Sequence, residues 1–422
     1  MGSNIFSVLN TAKLGLLSQQ LAIEVTGQNI ANVQTEGYSR QEVKFEATNP
    51  RSFSLGQLGT GVQVAGIERS YDEFLFSQLL GEGDTLGQYE VRKDVFEQLE
   101  ILFSESNGQS LNQGLGNFFS SLQDLSSNPV GLPERSSVLA EAQNLASTFN
   151  NLGESLFQIR RNLDATIQVE VERINSLTTE IAELNQAIHA NEPVAFSAND
   201  LRDRRDQRVK ELSELIDLNY VDEMDGQISL TLNNGTPLVL QSTAFNMSTQ
   251  INGNNKGFQD IVVSGLNGTS TNVTSSVTGG SLKGLIDMRD IEVTDVKDKL
   301  DRLASSIIQE FNNIHQGGFG IDGTTGNNFF APPSVTTEIN TNNTGTATLT
   351  ATNANPSDIS NDKFEITVTG SNTFILNNLT TGLNEGSFSF TSGSTFNLAG
   401  GFAVTVSGGA AVGDRFKLSV SE

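Results

Sequence analysis

Histidines, cysteines and glycine-rich turns are where a chain of this size would carry chemistry, and here they are sparse. The 422 residues include two histidines, His189 and His315, and no cysteine. A zinc site needs a tetrahedral set of Cys, His or carboxylate ligands, and these histidines fall singly at the ends of two predicted helices. Without a thiol there is no disulfide, thiolate ligand or cysteine nucleophile. Neither histidine accompanies a G-x-S-x-G elbow, so a nucleophilic triad is unsupported. No GxxxxGK[ST] run is present to cradle a phosphate. Gly318 to Phe330, GFGIDGTTGNNFF, places one Asp and two Asn in a glycine-rich turn. It lacks the alternating spacing and closing glutamate of a calcium loop and reads as a helix-to-strand connector. Acid pairs are common, but among 49 acidic residues they say little about glycoside hydrolysis. The sequence thus predicts no catalysis, no cofactor and no metal.

One charged run stands out, Arg202-Asp203-Arg204-Arg205-Asp206, on a predicted helix from Leu201 to Asp217 that Asn199 or Asp200 could cap. It could be a nucleic-acid patch. The formal net charge of −24 repels nucleic acid and anionic membranes, so a solvated or intersubunit salt-bridged face is the preferred reading.

The elements around these residues are mostly long helices. Ile5, Leu9, Ala12, Leu16, Ile23, Ile30 and Val33 recur near one face of an amphipathic helix, widened by Leu14, Leu17, Leu21 and Val25. Gly37 supplies the positive φ for its exit. An ordinary buried N-terminal helix would show the same periodicity. A basic n-region and a continuous apolar core are lacking, which argues against a cleaved signal, and no run approaches the roughly 20 apolar residues of a membrane span. Val43 and Phe45, then Val62, Val64 and Ile67, suggest a short β connector. A helix follows over Ser70 to Phe103, with Phe74, Leu86, Tyr89, Phe96, Leu99 and Phe103 as core contacts and a break at Asn107-Gly108. Leu111 to Leu125 forms another. From Pro133 to just before Pro193, Leu145, Leu156, Leu163, Ile167, Ile174, Ile181 and Ile188 sustain the helical period over more than 50 residues, about 80 Å and suited to a bundle or coiled coil. A β-rich insert spans about 219–280, with a hairpin at Asn234-Gly235. Ser281 to His315 is helical again. After Pro332-Pro333 the composition turns to Thr, Asn, Ser and Gly, with six short alternating runs from Ala347 to the strand at Arg415–Glu422. The fold class predicted is multidomain α plus β: an N-terminal assembly helix (1–45), an elongated long-helix bundle with β-hairpins (46–333), and an all-β outer domain (334–422), a sandwich or barrel.

Two runs, VTGQNIANVQTEGYSRQ (Val25 to Gln41) and GTGVQVAGIERSYDEFL (Gly59 to Leu75), closely resemble the N-terminal signatures of bacterial flagellar axial proteins: rod, hook and hook-associated subunits. Within the first, the loop motif falls on Asn29, Asn32, Gly37, Tyr38 and Arg40. Three further runs, Gly114 to Asn150, Asp200 to Asp217 and Gly279 to Asp290, the last leading into Leu300 to Phe330, resemble the hook-associated protein 1 family of hook–filament junction proteins. The resemblance implies a non-enzymatic structural subunit, secreted through the flagellar type III export apparatus and located in the extracellular flagellum. Its implied partners are other copies of itself, hook protein and the neighbouring junction protein, with no nucleic acid and no membrane insertion. The family ends in a second amphipathic helix that pairs with the first, and no such run occurs here. The expectation is therefore a truncated or fragmentary chain, with an export chaperone for the missing C-terminal region. Another axial subunit, or a secreted adhesin with a ligand-binding β-tail, is the alternative.

Overall fold

The computed structural model describes residues 2–53, 56–104, 110–192, 198–223, 225–265, 268–354 and 362–420. The predicted helix break at Asn107-Gly108, Pro193 and the final residue Glu422 lie outside them. The chain divides into two compact units: 1–94, 165–250 and 260–286 form one, and 95–164, 251–259 and 287–422 the other.

In the first unit, helix α1 (Gly2–Ala31) is followed by strand β1 (Gln41–Ala47), a small hairpin of β2 (Arg51–Phe53) and β3 (Gly56–Leu58), and β4 (Val62–Arg69). Strands β1 and β4 pair antiparallel from Gln41↔Arg69 to Ala47↔Val62, with a bulge at Lys44/Phe45. Helix α2 (Glu73–Phe103) comes next. Helix α3 (Leu111–Ser127) belongs to the second unit, α4 (Leu132–Asn191) contributes residues to each, and the 60 residues of α4 match the long predicted helix. Helix α5 (Asn199–Leu215) leads into an antiparallel sheet, β5 (Asn219–Asp222) to β8 (Thr243–Ala244), in sequential order through β6 (Ile228–Thr231) and β7 (Pro237–Leu240). A second small sheet holds β9 (Met247–Ile251), β10 (Gln259–Ser264) and β11 (Ser270–Asn272).

Two expectations about α2 and α5 fail for physical reasons. Of the α2 residues predicted as core, Phe74, Leu86, Tyr89, Phe96 and Phe103 are exposed and only Leu99 is buried. The face that α2 turns inward carries Leu80 and two glycines. A Cβ on Gly87 would run into the Glu214 carbonyl, and one on Gly83 would meet Ser213. Backbones in contact leave no room for the large residues on which hydrophobic periodicity relies. Neither Asn199 nor Asp200 caps α5. The cap position is Ala198, without a side-chain hydrogen bond, and both polar residues are spent on the β1/β4 ribbon instead.

Two cores stand out among the described residues of the second unit. One gathers Phe118, Val138, Ala142 and Leu145, with Phe311, Phe329 and Phe330 against them. It joins α3 and the start of α4 to α7 (Val293–Gln316), which follows α6 (Gly280–Asp287) through a π-turn at Met288–Glu292. The single predicted helix over Ser281–His315 is thus interrupted. The other core belongs to a β-sandwich. Its five-stranded sheet has the order β12-β19-β14-β15-β16 (Val335–Ile339, Arg415–Val420, Phe364–Gly370, Thr373–Asn378, Asn384–Ser389). The three-stranded sheet is β13-β18-β17 (Thr348–Asn353, Phe402–Ser407, Thr395–Asn397). Alternate residues such as Phe364, Ile366 and Val368 on one sheet and Phe402, Val404 and Val406 on the other close a single core. The predicted class, a long-helix region followed by an antiparallel β domain, is the one observed.

The π-turn buries Arg289 completely. Its Nη1 donates to Asp164 (2.6 Å) and to the Gln259 carbonyl (2.8 Å), while Nε and Nη2 fork onto Asp290 at 2.9 and 2.7 Å. Arg160 stacks 4.5 Å above the Phe258 ring and donates to the Arg289 carbonyl. Removing one partner of such a group strands buried charge, at about 3–5 kcal/mol. Arg289→Met should destabilise the chain by that amount in urea unfolding, and Arg289→Met with Asp164→Leu should recover part of the loss.

Candidate assembly site on the N-terminal helix

Helix α1 touches the rest of its unit along one face. Ser18 and Val25 are buried there, Leu14, Leu21, Ala22 and Asn29 are half-buried, and the Thr11 hydroxyl donates to the Thr60 carbonyl at 3.0 Å. This face lies against the β1/β4 ribbon. At 100° per residue the predicted stripe lies well round the helix from it. Ile5, Leu9, Leu16, Ile23, Ile30 and Val33 are 59–77% exposed, and Ala12 is exposed as well. Periodicity alone merged the two faces: Leu14, Leu21 and Val25 belong to the ribbon side, and the seven stripe residues form a separate apolar surface.

The loop motif holds this arrangement. The Asn29 carboxamide behaves like a peptide group. It donates to the Gln41 carbonyl (2.8 Å) and accepts from the Gln41 amide (2.9 Å) and the Tyr38 hydroxyl (3.0 Å). Asn32 closes the helix, its backbone and side chain both donating to the Gln28 carbonyl. Gly37 sits at φ +78°, where a Cβ would also press on Gln207, so both backbone and space demand glycine. Arg40 is exposed and pairs with Glu42 at 2.7 Å.

Helix α5 clamps the loop from the other side. Asp203 accepts from the Ser39 amide at 2.9 Å and pairs with Arg69 at 3.1 Å; Arg69 also reaches Asp206 at 2.6 Å. Asp200 accepts from Gln41, and Asn199 donates to the Ile67 carbonyl. The Arg69 guanidinium lies 4.1 Å above the Tyr71 ring, and the Phe76 ring packs on both Tyr71 and Tyr220. Burial pushes the Tyr220 phenol up to about 12. Burial and the Asp200 and Asp203 carboxylates raise Tyr38. These phenols are neutral hydrogen-bonding groups at physiological pH. The charged run is therefore not a continuous solvated face: Asp203, Arg205 and Asp206 are buried within the unit, Arg202 is half-buried and Arg204 is exposed. Arg69 and Asp203 are the positions that sequence reasoning missed. The only signal was a helix with too many charges of both signs for a chain so acidic.

Charge is distributed unevenly along the sequence. Over residues 1–67 Lys13, Arg40, Lys44 and Arg51 balance Glu24, Glu36, Glu42 and Glu46, so the whole −24 falls on the remainder.

A profile of the flagellar hook-associated protein FlgK helical domain matches residues 96–330. Flagellar hook-associated protein 1 of Bacillus subtilis is 30% identical over 357 residues, which cover 78% of this chain and 70% of the relative. That of Salmonella typhimurium is 29% identical over 361 residues, covering 82% and 63%. The solved flagellar hook junction protein FlgK from Burkholderia pseudomallei aligns at a TM-score of 0.69 and 26% identity, over 82% of this chain and 62% of that one. The long-helix body and its likeness to these proteins define a structural component of the bacterial flagellum. The chain belongs to the flagellar hook-associated protein FlgK family, and it spans roughly two-thirds of the length of the relatives it matches.

Two predictions test the clamp. Arg69→Met leaves Asp203 buried without its cation and Asp206 with only the more distant Arg205 (3.7 Å), and should cost about 3–5 kcal/mol, read by thermal unfolding, whereas Arg40→Met on the exposed pair should change stability by less than about 1 kcal/mol. The second concerns Glu192, which accepts from the Ala198 amide (2.7 Å) and forks onto Arg202. Burial pushes its carboxyl up, but Arg202 and the Ala198 amide outweigh this and hold it below its usual value of 4.5. A depressed folded-state value stabilises above the unfolded one and is lost as pH falls through the folded one. Wild type should exceed Glu192→Gln by about 1–3 kcal/mol at pH 7, and the gap should close as pH drops below 4.5.

Proposed function

We propose that this chain is a structural subunit of the hook–filament junction, and that it self-assembles through the exposed α1 stripe. The observation that carries this reading is the stripe itself: Ile5, Leu9, Ala12, Leu16, Ile23, Ile30 and Val33 face solvent while the opposite side of the helix is pinned by Asn29, Tyr38 and the α5 clamp. An apolar surface of this extent on an ordered helix marks an interaction site. The neutral charge of residues 1–67 lets acidic copies meet there without repulsion. Asn29, Asn32, Gly37, Tyr38 and Arg40 set the angle at which the helix leaves the body.

The partners are other copies of the chain, hook protein and the neighbouring junction protein. Export through the flagellar type III apparatus, helped by a chaperone for the C-terminal region, places the protein in the extracellular flagellum. The long helices form the wall of the junction and the β-sandwich its outer domain. Among the described residues no helix is long and apolar enough to cross a membrane. The protein acts as a building block and not as a catalyst. His315 is engaged with the Asn327 carbonyl and His189 faces Asp225 at 3.6 Å.

Leu16→Asp with Ile23→Asp tests the assembly reading. Both positions are exposed, so unfolding should shift by no more than about 1 kcal/mol, while incorporation into flagella of a strain lacking the native protein should be lost. Normal incorporation and motility would overturn the proposal.

A further inference from the structure

The β-sandwich and the helices of the second unit keep separate hydrophobic cores. Every residue clustered with Phe364 and Phe402 lies between Val335 and Val420, and every one clustered with Phe118 comes from α3, α4, α7 or the Phe329-Phe330 pair. Polar contacts join the two. At one, the Thr341 amide donates to the Asn254 side chain at 2.8 Å, and a Cβ on Gly253 would run into Thr341. At another, Asp298 on α7 holds the Lys363 ammonium with both oxygens, at 2.7 and 2.8 Å. The Lys363 backbone is fixed, its amide donating to the Thr380 hydroxyl and its carbonyl accepting from the Leu379 amide. Its side chain has room: a polar pocket of about 230 Å³ opens beside it, and Asp295 as well as Asp298 lines that space.

We propose that Asp298 and Asp295 are alternative seats for Lys363, giving the sandwich two discrete orientations on the helices. The carboxylates are three residues apart on α7, about 4.5 Å along its axis and neighbours on one face. Lysine suits such a joint: its ammonium is a point charge on a flexible four-carbon stem, without the fixed fork of arginine. Asp295 is open to exchange. Its present partner is Lys299, and the side chains of the pair are 49 and 66% exposed, so the pair holds weakly. Asp301, a third carboxylate of the pocket, is held by Lys297, whose side chain is only 10% exposed, and stays with it. In the second seat Lys363 displaces Lys299 into water, and Asp298, itself 22% exposed, is hydrated in turn. One ion pair replaces another of the same kind, which keeps the two orientations near enough in energy for both to be populated. The close Asn254–Thr341 contact is the pivot.

The absence of cysteine makes the test direct. Glu310→Cys on α7 and Val412→Cys on the sandwich, both exposed, are combined in the full chain, spin-labelled, checked for unchanged melting, and their separation is read by pulsed electron resonance. Asp298→Asn should replace the main distance by a second, equally narrow one. Asp298→Asn with Asp295→Asn should give a broad distribution matching that of Lys363→Met. A main distance unmoved by Asp298→Asn shows that Lys363 does not set the orientation, and a broad distribution with Asp298→Asn alone shows a single seat; either result overturns the proposal. A narrow distance that survives the double substitution excludes Asp295 as the second seat and overturns it equally.

Discussion

At several places where a strand or loop is laid against a helix in this protein, an asparagine on the helix meets its backbone. Asn29 pairs with the amide and carbonyl of Gln41. Asn175 does the same for Met247. Asn185 brackets Ile228 and also reaches the Gln241 carbonyl. Asn312 takes the amides of Phe329 and Phe330 and the carbonyl of Phe330. A carboxamide has the donor and acceptor of a peptide group, so it satisfies main-chain atoms that a helix surface would otherwise leave unpaired. Each bond contributes about 1 kcal/mol net, but an orphaned buried amide would cost more. The pairing therefore matters chiefly for register: it fixes which residue of the strand lies opposite which turn of the helix.

Buried guanidinium groups do the same work at larger scale. Arg69 joins the end of β4 to α5, Arg205 donates to Asn185 and to the Gly226 carbonyl, and Arg289 ties the π-turn to Asp164 on α4 and Gln259 on β10. Such groups add little net stability over an apolar replacement. Their value lies in the penalty for any arrangement that separates them from their partners.

The parts of this architecture that rest on repetition were legible in the sequence. The α4 stripe, the alternating strands of the sandwich and the strand character of β1 and β4 all follow from periodicity. What depended on close approach was not. Gly83 and Gly87 seat α2 against α5 with no hydrophobic signal, so the aromatic residues of α2 were assigned to the wrong side. The α1 stripe was read correctly as apolar, yet only the structure separates its exposed arc from the Leu14–Val25 arc that meets the ribbon. The loop motif could be recognised by resemblance, but its partner Asp203 lies 164 positions from Ser39, beyond the reach of any local pattern. The charged helix was misread because alternating sign looks the same whether its partners are water or other buried side chains.

Under the proposed self-assembly, the net-neutral first 67 residues and the acidic remainder bear on how copies would meet. At physiological ionic strength charges are screened beyond about 8 Å, so the acidic surfaces exert no steering at a distance and resist only near touching. Encounters between two acidic surfaces would be turned back at close range, whereas those between two net-neutral N-terminal regions would not. The charge pattern thus acts as an orientation filter on collisions, and raising the salt should blunt its selectivity before it weakens the apolar contact itself.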